Sequence, residues 1–267
     1  MRGKSSRWRR NIIPPFLLII FVLLVWHTVA LRSGLSAFIL PSPIQVLQAG
    51  WETREVLGSA IATTMLETMI GLTIATILGV LIAAAIDLSS IVRRALYPIL
   101  VASQTVQILA IAPLLIIWFG FSMLPKVMIV VLICFFPLAV NTADGLASAD
   151  PDYVSLLRAM GADRKQVWRL VRFPAALPAF FTGLRIAVTY SVVGATIGEW
   201  VGGSEGLGLY MLRSKNALAT DQVFVGIVLT SMLSIGLFLL VYVIERALLP
   251  WYYSSERIEQ WEGSGIY

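Results

Sequence analysis

Long apolar runs separated by short polar segments make up most of the chain. Six of them can cross a bilayer as helices, because about 20 apolar residues span its hydrocarbon core. They cover approximately residues 12–32, 60–86, 97–119, 124–143, 176–198 and 222–249. Segments 40–59 and 199–222 are too polar to span, and each predicts a turn followed by a short helix, the first amphipathic. The pattern therefore predicts an all-α, polytopic membrane helical bundle.

Composition supports this prediction. Hydrophobic residues make up 58% of the 267 residues, charged residues make up 13%, and the mean hydropathy is +0.85. Soluble domains are about 45–50% apolar. Six spans use most of a chain of this length, so we expect a single multi-pass domain in the cell membrane and no separate soluble domain.

The basic residues predict the orientation of the bundle. With the N-terminus inside, fourteen of the twenty bases fall on the cytoplasmic side: Arg2, Lys4, Arg7, Arg9, Arg10, Arg93, Arg94, Arg158, Arg164, Lys165, Arg169, Arg172, Arg246 and Arg257. Five fall outside: Arg32, Arg54, Lys126, Arg213 and Lys215. The positive-inside rule then places both termini in the cytoplasm. The bases mark topology, so the pI near 9.6 does not indicate nucleic acid binding.

Catalytic chemistry is not indicated by the sequence. Residues 3–6, GKSS, match the end of a phosphate-binding loop. Only two residues precede them in the sequence, too few for the first glycine of that loop and the strand before it. His27 is the single histidine and Cys134 the single cysteine, so neither a metal site nor a nucleophile–base pair is indicated. We expect a non-enzymatic chain that binds no cofactor or metal.

Small residues form a stripe along the second predicted span. Gly71, Ala75, Gly79 and Ala83 recur at intervals of four and so share one helix face. The stripe predicts close packing of this helix against another one.

Polar side chains inside the spans are the candidates for a translocation path, because each is costly in hydrocarbon and normally faces the bundle or a cavity. These candidates are Glu67, Ser103, Gln104, Gln107 and Glu199. For Ser103 to Gln107 the alternative is hydrogen bonding between helices, and for Glu199 it is solvation at the outer face.

Acids and amides along such a path favour a neutral or cationic solute over nitrate or a sulfonate. The same inference would reverse if Arg185 lined the path. We expect Arg185 instead to lie near the cytoplasmic interface, where it snorkels or forms a structural ion pair.

A basic segment, residues 150–174, interrupts the apolar pattern on the predicted cytoplasmic side. Asp150 is a candidate N-cap with Pro151 at the first helical position. Gly161 can adopt the positive φ that ends a helix, and Asp163 can cap the next one. Pro174 is expected to restart the chain into the membrane. The segment thus predicts two short helices at an elbow, the first with an apolar face formed by Tyr153, Leu156, Leu157 and Met160.

The spacing of Gly161, then nine residues, Val171, Phe173 and Pro174 resembles the G-x9-I-x-L-P pattern of the EAA loop. That loop occurs in permease subunits of binding-protein-dependent ABC importers. Segments that resemble the nitrate/sulfonate/taurine/bicarbonate branch, which includes thiamine-precursor pyrimidine permeases, are 40–47, 109–120, 174–188 and 198–208.

The chain departs from the family pattern at two places. Ser155, Leu156 and Leu157 replace the Glu-Ala-Ala that gives the loop its name, and Gln107 stands where many relatives have proline. A contact from a glutamate at this position to the ATPase is therefore not expected.

The resemblance implies the fold of a type I ABC importer transmembrane domain, with about six spans. Residues 1–11 would be a cytoplasmic basic N-terminus, 12–253 the permease domain with its coupling segment at 150–174, and 254–267 a cytoplasmic tail. Expected partners are ABC ATPase subunits that bind ATP and Mg, an external solute-binding protein, a second permease copy and membrane lipid.

The resemblance also implies the residues that contact the ATPase. They are Tyr153, Leu157, Arg158, Met160, Gly161, Asp163, Arg164 and Pro174. The substrate expected for the importer is a thiamine-precursor pyrimidine. Two alternatives stay open: an importer of sulfonates, taurine or nitrate, and a membrane anchor that binds a cytoplasmic partner but transports nothing.

Overall fold

The chain is a bundle of eleven helices in the residues that the computed structural model describes, 4–32 and 39–252, with side chains left undescribed at 4–12, 15 and 16. The helices are α1 Lys4–Arg32, α2 Pro43–Glu52, α3 Arg54–Leu88, α4 Ser90–Ser103, α5 Ile108–Phe119, α6 Met123–Ala147, α7 Pro151–Ala159, α8 Arg164–Val167, α9 Phe173–Gly202, α10 Leu207–Asn216 and α11 Thr220–Leu248. The predicted C-terminal tail, 254–267, lies outside the described residues.

Helix α6 lies at the centre of the bundle, between α3 and α9. The small-residue stripe of α3 makes this packing possible, because a Cβ added at Gly71 would overlap Val130, and one at Gly79 would lie 2.9 Å from Leu138. All four residues of the stripe are buried, so the predicted helix–helix contact is confirmed.

Four continuous helical stretches in the described residues are long and apolar enough to cross a membrane. They are Arg54–Leu88, Met123–Ala147, Arg164–Gly202 and Thr220–Leu248. The pair α4 and α5 makes a fifth if it is counted as one broken span. The predicted first span, 12–32, lies within α1, and side chains are described for its part Leu17–Arg32.

The third predicted span, 97–119, is not one continuous helix. It breaks at residues 104–107, where α4 and α5 meet at an angle of 98°. The hydroxyl groups of Ser103 and Thr105 donate to the carbonyls three residues earlier, Leu100 and Ala102, and such local bonds compete with the helical backbone. A hydropathy pattern reports how apolar a run is but not its direction, so it did not reveal the bend.

The expected restart of the chain at Pro174 is also wrong, because the helix runs through this residue. Pro174 has no N–H and its ring crowds the carbonyl four residues earlier. The chain adapts with one π turn, Trp168–Arg172, in which the Phe173 N–H donates to the Trp168 carbonyl. Consequently, α8, the π turn and α9 form one rod from Arg164 to Gly202.

Both predicted short helices outside the spans are present, as α2 and α10, at the end of the bundle opposite α7 and α8. Ser42 caps α2 in a reciprocal arrangement with Gln45. The chain then enters α3 at Arg54, several residues before the predicted start of the second span. Helix α1 is attached near this end by Trp26, whose indole N–H donates to the Pro41 carbonyl at 3.1 Å.

Candidate functional site

The predicted site residues form three groups: a buried charged cluster, an exposed break in a membrane helix, and a helix–turn–helix at one end of the bundle. Each group is positioned by a different local feature of the sequence.

The buried charged cluster lies between α3, α6 and α9. Lys126, in the first turn of α6, donates from Nζ to Oε1 of Glu67 at 2.6 Å. The two side chains are only 6% and 1% exposed. Gly198 of α9 packs directly on Lys126, so the ion pair is enclosed by three helices.

This pair corrects two expectations. Lys126 is not an exposed base of an outer loop, because the first turn of α6 places it inside the bundle. Glu67 is matched by a cation and is shielded from solvent. The preference for a neutral or cationic solute assumed unmatched acids along the path, so the structure removes the basis of that argument.

Glu199, near the end of α9, holds the short helix α10 in place. Its fully buried carboxylate accepts hydrogen bonds from the hydroxyl of Thr64, at 2.6 Å, and from the backbone N–H of Gly208 in the first turn of α10. The Leu207 N–H in turn donates to Thr64 Oγ1 at 2.9 Å. A carboxylate at a helix N-terminus is favourable because the first N–H groups of the helix have no partner within it.

The glycines after α9 leave room for this carboxylate. A Cβ at Gly206, which has φ +122°, would overlap the Glu199 carboxyl group. Also in the first turn of α10, the hydroxyl groups of Tyr210 and Thr53 hydrogen-bond at 3.0 Å. Burial raises the pKa of the Tyr210 phenol, so this hydroxyl remains neutral.

The exposed break lies between α4 and α5. Ser103, Gln104 and Gln107 are all solvent-exposed in the single chain, and Gln107 takes an extended backbone conformation before α5 begins. Non-helical backbone at membrane depth is stable only where it lines a water-filled cavity or contacts other protein. The break therefore brings three of the predicted path residues together on the exposed surface of the single chain.

The five predicted path residues do not form one site. Glu67 and Glu199 are buried in the cluster inside the bundle, whereas Ser103, Gln104 and Gln107 lie at the break. Sequence reasoning missed Lys126 and Thr64 as partners of the two acids. In the sequence, Lys126 looks like any basic residue of a loop, and Thr64 looks like any hydroxyl residue of a helix. Only their contacts in the structure identify them as partners of the two acids.

The helix–turn–helix has the predicted local structure. Asp150 caps α7, Gly161 has φ +87°, and Asp163 caps α8 reciprocally with Gln166. The Ala162 N–H donates to the Leu157 carbonyl at 2.9 Å and so closes the end of α7.

The outer face of α7 is apolar and largely uncovered within the chain. Tyr153, Leu156 and Met160 are 62%, 57% and 75% exposed, and Leu157 is half-buried. Val154 is the α7 residue that packs inward. The face is thus available to another molecule.

Two contacts join the helix–turn–helix to the end of α3. Arg172, in the π turn, forms an ion pair with Asp87, and the Arg164 guanidinium donates to the Leu88 carbonyl. Farther along α9, Arg185 pairs with the buried Glu245 of α11, which confirms the predicted structural ion pair. The first two contacts therefore connect α8 and the π turn to the end of α3.

Known proteins are similar to this chain along most of its length. The family described as "Binding-protein-dependent transport system inner membrane component" matches residues 75–251. The formylaminopyrimidine transport permease protein ThiX of Halalkalibacterium halodurans is 39% identical over 238 residues, which cover 89% of this chain and 95% of the relative. The riboflavin transport system permease protein RibX of Chloroflexus aurantiacus is 32% identical, over 87% of this chain and 88% of the relative. The taurine transport system permease protein TauC of Escherichia coli K12 is also 32% identical, over 86% of each chain.

The chain belongs to the family of inner-membrane components of binding-protein-dependent transport systems. More narrowly, it is a permease subunit of an ABC importer in the nitrate/sulfonate/taurine branch that includes ThiX. It has the all-α fold of a type I importer transmembrane domain and is a multi-pass protein of the cell membrane. Its role within that system is transport.

Proposed function

We propose that the chain forms the translocation path for a thiamine-precursor pyrimidine of the formylaminopyrimidine type, delivered by an external binding protein. The observation that carries the path is the exposed break between α4 and α5, where Ser103, Gln104 and Gln107 meet at a bend of 98°. Broken helices of this kind supply binding groups at membrane depth in many transporters. Amide and hydroxyl groups suit the ring nitrogens and amino groups of a pyrimidine.

The substrate class is supported by similarity along the whole chain. Identity to the formylaminopyrimidine permease is 39%, against 32% to the riboflavin and taurine permeases, over comparable lengths. Because Glu67 is paired with Lys126, it gives no independent preference for a neutral or cationic solute. The proposed solute class therefore depends on this comparison and on the polar, uncharged character of the break.

A second copy of the chain is part of the proposal. The break lies on the surface of one chain, and the apolar residues that flank it, Val101, Val106 and Leu109, are 48%, 47% and 52% exposed. Large apolar groups beside an exposed polar bend suit a partner that completes the path. Two copies facing each other would enclose it.

We place the ATPase contact on α7, Gly161 and the start of α8, where the apolar face is exposed. Through the Asp87–Arg172 and Arg164–Leu88 contacts, closure of two ATPase subunits would move α3 and α9 together. The helix–turn–helix would then act as a rigid lever that switches access to the path. ATP and Mg would bind to those partner subunits.

Reconstitution tests the proposal. The permease is placed in proteoliposomes with its cognate ATPase and binding protein, and uptake of labelled formylaminopyrimidine is compared with uptake of taurine. We expect ATP-dependent uptake of the pyrimidine and stimulation of ATP hydrolysis by the loaded binding protein. Uptake of taurine alone would contradict the substrate, whereas stable ATPase association without stimulation or uptake would favour the membrane-anchor alternative.

A further inference from the structure

A cavity of about 780 Å³ lies where the end of α3 meets the helix–turn–helix. Its walls contain four basic side chains, one acid, and apolar groups from α3 and the rod that begins with α8. The lining residues are Ala84, Asp87, Leu88, Arg158, Arg164, Lys165, Val167, Trp168 and Arg172.

The groups without partners in this cavity are all donors or cations. Asp87 is already paired with Arg172, and Arg164 donates to the Leu88 carbonyl. Among the described residues, Arg158 and Lys165 have no ion-pair partner. The indole N–H of Trp168 is buried and, within the same part of the chain, has no hydrogen-bond acceptor. A ligand that complements the cavity must therefore supply acceptor atoms and negative charge.

The depth of the cavity indicates where that anion comes from. Helix α3 carries no charged side chain between Glu67 and Asp87, so the apolar span ends at Asp87, and Leu88 beyond it is 53% exposed. The cavity thus lies at the level of the lipid headgroups, with apolar walls on the side of the hydrocarbon. Basic pockets between membrane helices at this level bind anionic lipid headgroups.

The geometry points to a binding site for the phosphate of an anionic phospholipid in this cavity. Arg158 and Lys165 hold the phosphate, the Trp168 N–H donates to one of its oxygens, and the acyl chains lie along the exposed end of α3. An occupied site bridges α3 to the helix–turn–helix and so stabilises the connection between the lever and the spans. The site concerns the permease and its membrane, and it does not depend on which solute is transported.

Native mass spectrometry of the purified full-length permease, titrated with phosphatidylglycerol or with phosphatidylcholine of the same acyl chains, tests the site. We expect phosphatidylglycerol to bind more tightly. A base near the membrane surface contributes roughly fivefold in affinity, so the double variant R158Q/K165Q should bind phosphatidylglycerol roughly thirtyfold more weakly. The control R93Q/R94Q removes the same charge outside the cavity and should stay within about threefold of the unsubstituted protein.

A second variant keeps the charge and the packing. Trp168→Phe removes only the indole N–H, and loss of a hydrogen bond to a charged group should weaken phosphatidylglycerol binding about tenfold. Its apolar ring still packs against Phe173, whose ring centroid lies 5.4 Å from that of Trp168.

Several outcomes would overturn the inference. Equal affinity for the two lipids, or unchanged phosphatidylglycerol binding in both the double variant and Trp168→Phe, would exclude a headgroup site. Binding of inorganic phosphate with the same dependence on Arg158 and Lys165, without any preference for phosphatidylglycerol, would indicate a soluble anion as the ligand. Loss of ATPase association in R158Q/K165Q with lipid binding unchanged would indicate a protein contact instead.

Discussion

Lys126 and Glu67 form an ion pair across α6 and α3, with Nζ 2.6 Å from Oε1 and both side chains buried. Glu199 lies near enough to interact electrostatically with both. The cluster joins the three central helices at the end of the bundle that carries α10. Because its charges are out of contact with water, each depends on the others for stabilisation.

Removal of one member of this pair should be costly. Lys126→Met leaves Glu67 buried without its cation, and breaking a buried pair in this way costs about 3–5 kcal/mol. We expect a marked fall in the thermal unfolding midpoint of the purified protein, followed by intrinsic tryptophan fluorescence. Glu67→Gln combined with Lys126→Met should recover most of the loss, because no isolated charge remains.

Lys215→Met is the matched control, because Lys215 is an exposed base on α10. Its substitution should change stability by no more than about 0.5 kcal/mol. If Lys126→Met proved as mild as Lys215→Met, the buried pair would contribute little to the bundle.

Features set by short-range chemistry were predictable from the sequence. The caps at Asp150 and Asp163 and the positive φ of Gly161 depend on neighbouring residues alone, and the small-residue stripe of α3 depends on helical periodicity. The hydropathy of each apolar run likewise depends only on the residues within the run, so the runs could be located from the sequence.

The sequence could not specify contacts between distant segments. Lys126 looks like a loop base unless Glu67, 59 positions earlier, is known to face it. The break at 104–107 and the π turn before Pro174 change the direction or width of a helix without changing its hydropathy. The cavity at the end of α3 likewise depends on how two remote segments meet.

The anchoring role of Glu199 predicts a local change in α10. In Glu199→Gln the amide oxygen can accept from Thr64 or from Gly208, but its NH₂ group then faces the other donor. One hydrogen bond is lost, and the first turn of α10 should open more readily. Hydrogen exchange of residues 207–216, followed by mass spectrometry, should be faster than in the unsubstituted protein.

Glu205→Gln provides the control, because Glu205 is an exposed acid in the same glycine-rich turn and accepts only a long bond, 3.4 Å, from Thr63. Exchange in residues 207–216 should remain unchanged in this variant. Equal exchange rates in the two variants would show that Glu199 does not hold α10.

The break between α4 and α5 should be reached by water in the membrane. A cysteine at Gln104 should react with a hydrophilic maleimide in membrane vesicles, because the non-helical backbone must line an aqueous space or a protein contact. The native Cys134 is fully buried, so the unsubstituted chain should stay unlabelled. Leu239→Cys is the control on α11, at a side chain 52% exposed within an apolar span, and it should not react.

Labelling should also depend on the transport state. If Gln104 lines the proposed path, the cognate ATPase with non-hydrolysable ATP should change the labelling rate severalfold. A rate at Gln104→Cys as low as that at Leu239→Cys under every condition would place the break in lipid or in a closed protein contact and would contradict the path.

Substitutions at Gly161 test whether the proposed lever depends on the backbone conformation of the turn after α7. The φ of +87° at Gly161 strains any residue with a Cβ, by roughly 1–2 kcal/mol, and a β-branched residue most of all. Gly161→Val should therefore insert normally but lose ATPase association or coupled uptake, measured by co-purification and in proteoliposomes. Gly161→Asn should retain both, because asparagine tolerates this conformation.

Gly236→Val is the matched control, since Gly236 lies within α11 and has open space where a Cβ would extend, as Gly161 does. The same substitution at this helical position should leave association and uptake unchanged. Normal uptake by Gly161→Val would mean that the turn after α7 does not need its left-handed backbone to transmit ATPase closure.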